Sequence, residues 1–208
     1  MVIADYRAWR AVGPGGLPAN PLGWGIARAL GTVRRDTLST SGDTDHRGPD
    51  ALALPRRGGS RPAMAPFVIP HRQLDGIPDT SLVSDLLARV AAVGEQPGCH
   101  VATSRLERHG DAVFADDPGA SWVRATGGEV AHVHAGQGSL HVVAAPADVA
   151  TIIDHGWGER HPLAGRRPLG LPDSYLFLYA PVDESQTDTV LTIVRRCVAQ
   201  AGPAAAPL

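Results

Sequence analysis

From Glu129 to Val143 the chain reads EVAHVH, AGQG, SLHVV: two runs of alternating or β-branched residues around a four-residue turn that holds two glycines. The pattern predicts an antiparallel hairpin, Glu129 to His134 against Ser139 to Val143, with glycine supplying the positive φ that the turn needs. This segment constrains the fold more than any other, because side chains alternate along a strand and a slip of one residue reverses every face. With His134 and Ser139 flanking the turn, His132 falls directly opposite His141. His132, His134, Ser139 and His141 then share one face, and Glu129 and Val133 point the other way.

Three imidazoles and a hydroxyl at cross-strand contact, about 5 Å between paired Cβ atoms, are unusual content for a packed face. Two chemical uses fit them. Neutral imidazoles bind divalent metals, and His132, His134 and His141 form a facial array, although no carboxylate is expected on that face to complete an iron site. Alternatively, one imidazole serves as a general base near its ordinary pKa of about 6.5 while its neighbours fix the tautomer. The plain alternative is a set of satisfied histidines in a polar interior, with no chemistry.

Clear signals flank the hairpin. Thr80 or Ser81 caps a helix whose apolar positions Leu82, Val83, Leu86, Leu87, Val90 and Val93 keep the 3.6 period up to Gly94. Cys99 to Leu106 and Ala112 to Ala115 read as strands joined through His109-Gly110-Asp111, and Trp122 opens a stretch leading to the hairpin. After the hairpin, Pro146 suits a first helical position, Asp148 the positive end of the dipole, and Gly156 a C-terminal cap, with Val149, Ile152 and Ile153 facing inward. Tyr175 to Tyr179 is a strand. Asp183 or Ser185 opens a last helix buried through Val190, Leu191, Ile193, Val194, Cys197 and Val198.

Upstream of residue 79 periodicity is weak. The chain carries 24 Gly and 18 Pro in 208 residues, roughly a fifth against a norm of about an eighth, and breakers such as Gly13-Pro14-Gly15-Gly16 crowd this region. Only Gly23 to Leu30 reads as a short helix, and Ser39 to Pro49 reads as a polar mobile loop. The expected architecture is therefore α+β: an antiparallel sheet with a His-bearing hairpin, packed by helices, over residues 79–200. A long irregular N-terminal arm, residues 1–78, lies over that core, and residues 201–208 form a disordered tail.

Composition removes several functions. All 19 basic residues are Arg, so Schiff-base, pyridoxal and Walker-type phosphate chemistry, which need a lysine, are excluded. The formal net charge is -2 with no basic stripe, which argues against nucleic acid. Cys99 and Cys197 lack the spacing of a zinc ribbon or redox dithiol. With no run of 18 apolar residues and charge arriving at Asp5, no membrane contact is expected, and a soluble, cytoplasmic protein is.

The segment GWGERHPLAG, Gly156 to Gly165, places a Trp, an acid, an Arg and a His in one glycine-bounded loop. Arg160 is permanently cationic and suits an enolate or oxyanion, and Trp157 offers a flat wall. The bland reading is a structural loop in which Glu159 pairs with an Arg and Trp157 fills the core.

Taken together, Glu129-Val-Ala-His-Val-His, Ser139-Leu-His, GWGERHPLAG and Phe177-Leu-Tyr-Ala-Pro resemble the fungal luciferase family. Asp5-Tyr6-Arg-Ala-Trp9, Val12-Gly-Pro14, Pro18-x-Asn20, Gly23, Arg61-Pro62 and Ile69-x-x-Arg72-Gln73 follow in the family's order, so the resemblance spans nearly the whole chain. It implies oxidation of a 3-hydroxyhispidin-like 2-pyrone by O₂, through an endoperoxide that loses CO₂. On that basis the catalytic candidates are His132, His134, His141, Arg160, His161 and Glu159, with His132 or His141 as base. Trp157, Ser139, Tyr179, Glu129 and Arg72 are the candidate substrate contacts. The expected enzyme is a cofactor-independent oxygenase taking O₂ and a small planar acidic enol, with a divalent metal on His132, His134 and His141 as the variant. A hydrolase or decarboxylase at the same site and a non-catalytic ligand-binding module remain the competing readings.

Overall fold

The computed structural model describes residues 2–43, 50–167 and 169–202. In chain order the helices and strands are α1 (Val2–Ala11), α2 (Pro21–Leu30), α3 (Thr80–Gly94), β1 (Cys99–Thr103), β2 (Asp111–Ala115), α4 (Ser121–Arg124), β3 (Glu129–Val133), β4 (Leu140–Val143), α5 (Pro146–Asp154), β5 (Gly158–Arg160), β6 (Tyr175–Leu178) and α6 (Glu184–Ala199). The six strands form one antiparallel sheet in the order β1-β2-β3-β4-β6-β5. The fold is α+β, as the alternation and helical periods predict.

The hairpin has the expected register: His132 pairs with His141 and Val133 with Leu140, and the His134 N–H donates to the Ser139 carbonyl at 2.8 Å. Alternation then divides the sheet. Ala131, Leu140, Val142, Leu176 and Leu178 point to one side, where Leu86 and Val90 of α3, Ile152 of α5 and Val190 and Val194 of α6 complete the main hydrophobic core. Each fully buried aliphatic side chain there contributes about 1.5–3 kcal/mol. The opposite side carries the histidines and is covered by the N-terminal region, including Gly16, Leu17 and Ile69 to His71.

Helix caps account for most element boundaries. Asp79, rather than Thr80 or Ser81, caps α3 by accepting from the Leu82 N–H at 2.9 Å. Asp183 caps α6 through the Gln186 N–H at 2.8 Å, and Pro146 opens α5. Trp122, at the start of the stretch leading to the hairpin, sits in the one-turn helix α4.

Residues 2–30 form two helices where a mostly irregular arm was expected. The second, α2, takes in the short helix expected at Gly23 to Leu30 and is opened by Asn20 and Pro21. The first, α1, has a weak local signal because it buries a single residue, Trp9, and is held by tertiary bonds, Trp9 Nε1 to the Ile69 carbonyl and Trp24 Nε1 to Asp5. Trp9, Ala27, Ala65 and Phe67 make a small second cluster. Of the expected mobile loop, residues 44–49 lie outside the described residues, as do 203–208 of the expected tail. Ala201 is buried, and its carbonyl accepts from the Ala120 N–H. Among the described residues no helix is long and apolar enough to cross a membrane.

Candidate functional site

The site is built on a row of paired residues that crosses the sheet. Ala112 faces His132, His132 faces His141, His141 faces Phe177 and Phe177 faces Glu159. His134 and Ser139, one step along the hairpin, join on the same side, and His161 follows β5. The rings of His132, His134 and His141 lie 5.1–5.4 Å apart, and His161 is 5.4 Å from His141. The three hairpin histidines expected to cluster therefore do so, the candidate His161 joins them, and all four are buried.

Hydrogen bonding fixes the ring orientations. The Nδ1–H of His132 donates to Glu129 Oε1 at 2.6 Å, and that of His141 to the Leu176 carbonyl at 3.0 Å; both partners accept only, so each ring turns its Nε2 inward. His134 bonds Ser139 Oγ through Nδ1 at 2.9 Å. Nε2 of His132 and of His134 is buried with no partner among the described residues. Burial pushes the pKa of His134 and His141 well below the ordinary value, helped by Arg72 for His134 and by neighbouring imidazoles for His141. His161 is lowered in the same way, so these rings are neutral at pH 7.

Glu129 corrects the sequence reading. Strict alternation would turn it away, but a β-bulge opposite Val113 and Phe114 adds one residue to β3 and swings the carboxylate to the histidine side. Burial would raise its pKa, yet hydrogen bonds from His132, Ser104 and the Arg105 N–H outweigh burial and hold it low. A second carboxylate, Glu107, also belongs to this face, so the expectation of a carboxylate-free cluster is overturned as well. Glu107 Oε1 lies 3.8 Å from Nε2 of both His132 and His134, and its Oε2 accepts from Arg72 at 2.6 Å.

A fifth histidine completes the arrangement. His71 lies on the N-terminal segment, 5.3 Å from His161 and 5.8 Å from His141, and its Nε2–H donates to Glu159 Oε1 at 3.2 Å. Its Nδ1 is buried and has no partner among the described residues, and burial lowers its pKa. Glu159 also accepts from Arg61 and, at 2.8 Å, from the Tyr179 hydroxyl. Burial alone would raise the Glu159 pKa, but His71, Arg61 and Tyr179 bring it down to about 2. Beside these groups lies a cavity of about 260 Å³ lined by His71, Glu107, His141, His161 and Tyr175, with Arg105 and Arg108 exposed at its rim.

Two expected site residues lie elsewhere. Gly158–Arg160 forms the edge strand β5 and not a loop, so Glu159 and Arg160 face opposite sides of the sheet. Arg160 is 1% exposed and bonds Asp43 and the carbonyls of Ser39 and Asp173, beside a separate cavity of about 380 Å³ on the α5 side. Trp157 is packed in the main core with Nε1 donating to the Pro55 carbonyl at 2.7 Å. The flat wall at the histidine cavity is Tyr175, stacked on His141 at 4.7 Å and 12°.

The pattern of the whole chain matches known proteins. A model of the luciferase domain matches residues 127–197. The chain is 30% identical over 216 residues to a luciferase of Neonothopanus nambi, covering 95% of this chain and 80% of that protein. Luciferases of Armillaria gallica and Armillaria mellea are each 30% identical over 214 residues, covering 93% of this chain and 79% of theirs.

The chain belongs to the fungal luciferase family.

No solved structure matches it. The luciferase-domain match contains the His-bearing hairpin and Glu159 but not His71, Arg72 or Glu107, which the fold brings in from upstream. His71 lay within the resembling segment Ile69-x-x-Arg72-Gln73, at one of its unspecified positions. Glu107 had only a turn-like neighbourhood, Glu107-Arg108-His109, to mark it.

Proposed function

We propose that this luciferase-family protein is an oxygenase for a small, planar, acidic enol of the hydroxypyrone type. The observation that carries the proposal is the cavity walled by a stacked aromatic ring, Tyr175, and by the carboxylate-backed His71, whose Nδ1 has no partner among the described residues. Glu159 holds the His71 proton on Nε2, which leaves Nδ1 as the acceptor for an enol proton. Arg105 and Arg108 at the rim favour an anionic guest, and Tyr175 suits a flat one.

The enol gives its proton to His71. The resulting carbanion-like carbon transfers two electrons to O₂, forming one C–O bond, and the distal oxygen takes the proton back from the imidazolium to give a hydroperoxide. Atoms and charge balance with no external reductant. Where the substrate is a lactone, attack of the peroxide on the ring carbonyl and loss of CO₂ can follow. His132 and His141, given the base role in the sequence reading, are held with their Nδ1 protons committed to Glu129 and Leu176, and only His141 of the two reaches the cavity.

O₂ uptake on a panel of hydroxypyrones, with His71→Gln alongside, tests this reading. Wild-type protein should consume one O₂ per enol, and the variant should be folded and at least a hundredfold slower. Turnover at an equal rate without O₂ would instead identify a hydrolase or decarboxylase, and binding without turnover a ligand-binding module.

A further inference from the structure

We propose that Glu107, His132, His134 and His141 form a binding site for one divalent first-row transition ion. This deepens the oxygenase reading by naming a cofactor class for the same site, and it rests on that reading only for the ion's role. The four donor atoms all lie within 4.8 Å of one another, and all four residues are buried. Two donors at about 2.1 Å from one ion are at most about 4.2 Å apart. The two Glu107 Oε1 to Nε2 separations, 3.8 Å each, already satisfy that limit.

The donor set cannot satisfy itself. Nδ1 of His132 is engaged by Glu129 and Nδ1 of His141 by the Leu176 carbonyl, so Nε2 is the atom each ring has left to offer a metal. Glu107 Oε1 is an acceptor too: Arg72 donates closely to its other oxygen, at 2.6 Å, and only at long range to Oε1, at 3.4 Å. Ligand atoms therefore converge on one point, and the buried Nε2 atoms of His132 and His134 have no partner among the described residues. Buried polar atoms without partners are costly, and a cation placed among lone pairs removes that cost.

Each ligand is also held from behind, as metal-binding histidines usually are: His132 by a carboxylate, His141 by a backbone carbonyl and His134 by the Ser139 hydroxyl. The buried Glu129 carboxylate supplies negative charge behind the site that offsets the Arg72 guanidinium in front of it. Three imidazoles with one carboxylate select zinc, cobalt, iron or manganese over calcium and magnesium, which prefer all-oxygen sites. His141 and Glu107 also line the cavity, so an ion here would reach an enol oxygen.

The test is equilibrium titration of the full, chelator-stripped chain with Co²⁺, read by visible absorption and by metal analysis, with neither substrate nor O₂ present. The expected result is one Co²⁺ per chain, with affinity reduced at least tenfold in Glu107→Gln and in His134→Gln and ten- to a hundredfold in Glu129→Gln. Circular dichroism reports whether each variant is folded. If a variant is not, the wild-type cobalt protein decides through its paramagnetically shifted imidazole N–H signals, of which three are expected and fewer would refute the ligand set. Substoichiometric binding, or binding unchanged in folded Glu107→Gln and His134→Gln, would overturn the site. Because no substrate is used, absence of O₂ uptake leaves this result intact. Conversely, full O₂ uptake by metal-free protein would remove the ion from catalysis without touching the oxygenase reading.

Discussion

Replacing Glu159 with Gln probes the part of the site where charge, burial and pairing are most tightly linked. The carboxylate is almost wholly buried and accepts from Arg61, Tyr179 and His71. Holding it at a pKa of about 2, against its ordinary 4.5, corresponds to roughly 3 kcal/mol at 1.36 kcal/mol per pH unit. Arg61 is 45% exposed, so solvent screens part of this, and about 2 kcal/mol is the expected loss in Glu159→Gln at pH 7. The pKa is depressed on folding, so the contribution is fully present above about pH 4.5 and declines as pH falls toward 2. Urea unfolding of both proteins from pH 7 to pH 3 checks it: the stability gap should be constant from pH 7 to pH 5 and about halve by pH 3. A gap that is absent at pH 7, or that stays unchanged from pH 5 to pH 3, would refute the argument that His71, Arg61 and Tyr179 stabilise an ionised carboxylate.

Other consequences follow from placement. Arg160→Ala should cost about 3–5 kcal/mol in denaturant unfolding, because it strips a buried partner from Asp43 and two carbonyls. KM and kcat of the folded fraction should be unchanged; a selective fall in kcat would return Arg160 to the site. Gly158→Ala should destabilise by about 1–3 kcal/mol, since a Cβ there would collide with the Phe177 carbonyl oxygen and force β5 off β6; a thermal melt equal to wild type would refute this. Asp183→Ala should remove about 1 kcal/mol by uncapping α6, measured by the same melt.

Much of this protein is legible in local sequence. The hairpin register, and with it the pairing of His132 with His141, follows from a turn of known length between alternating strands, since only one register buries the apolar set. The starts of α5 and α6 follow from Pro146 and Asp183, because proline at a first position and an acceptor at a cap act within one turn of chain. What local pattern could not carry is anything decided by a departure from periodicity or by contacts distant in sequence. One bulged residue in β3 moved Glu129 to the opposite face, and nothing in a strand's composition announces a bulge when its partner strand is unspecified. GWGERHPLAG looks like one loop, yet its middle joins a sheet edge; alternation then separates Glu159, bonded to His71, from Arg160, bonded 117 residues away to Asp43. His71 and Glu107 reach the histidines from 61 and 25 residues before His132 because the N-terminal segment and the turn after β1 fold over the sheet's polar face. The chain by itself determined which hairpin imidazoles stand side by side; the tertiary structure decided that His71 joins them, which carboxylates they meet and which cavity they face, because those depend on side-chain packing across the whole sheet.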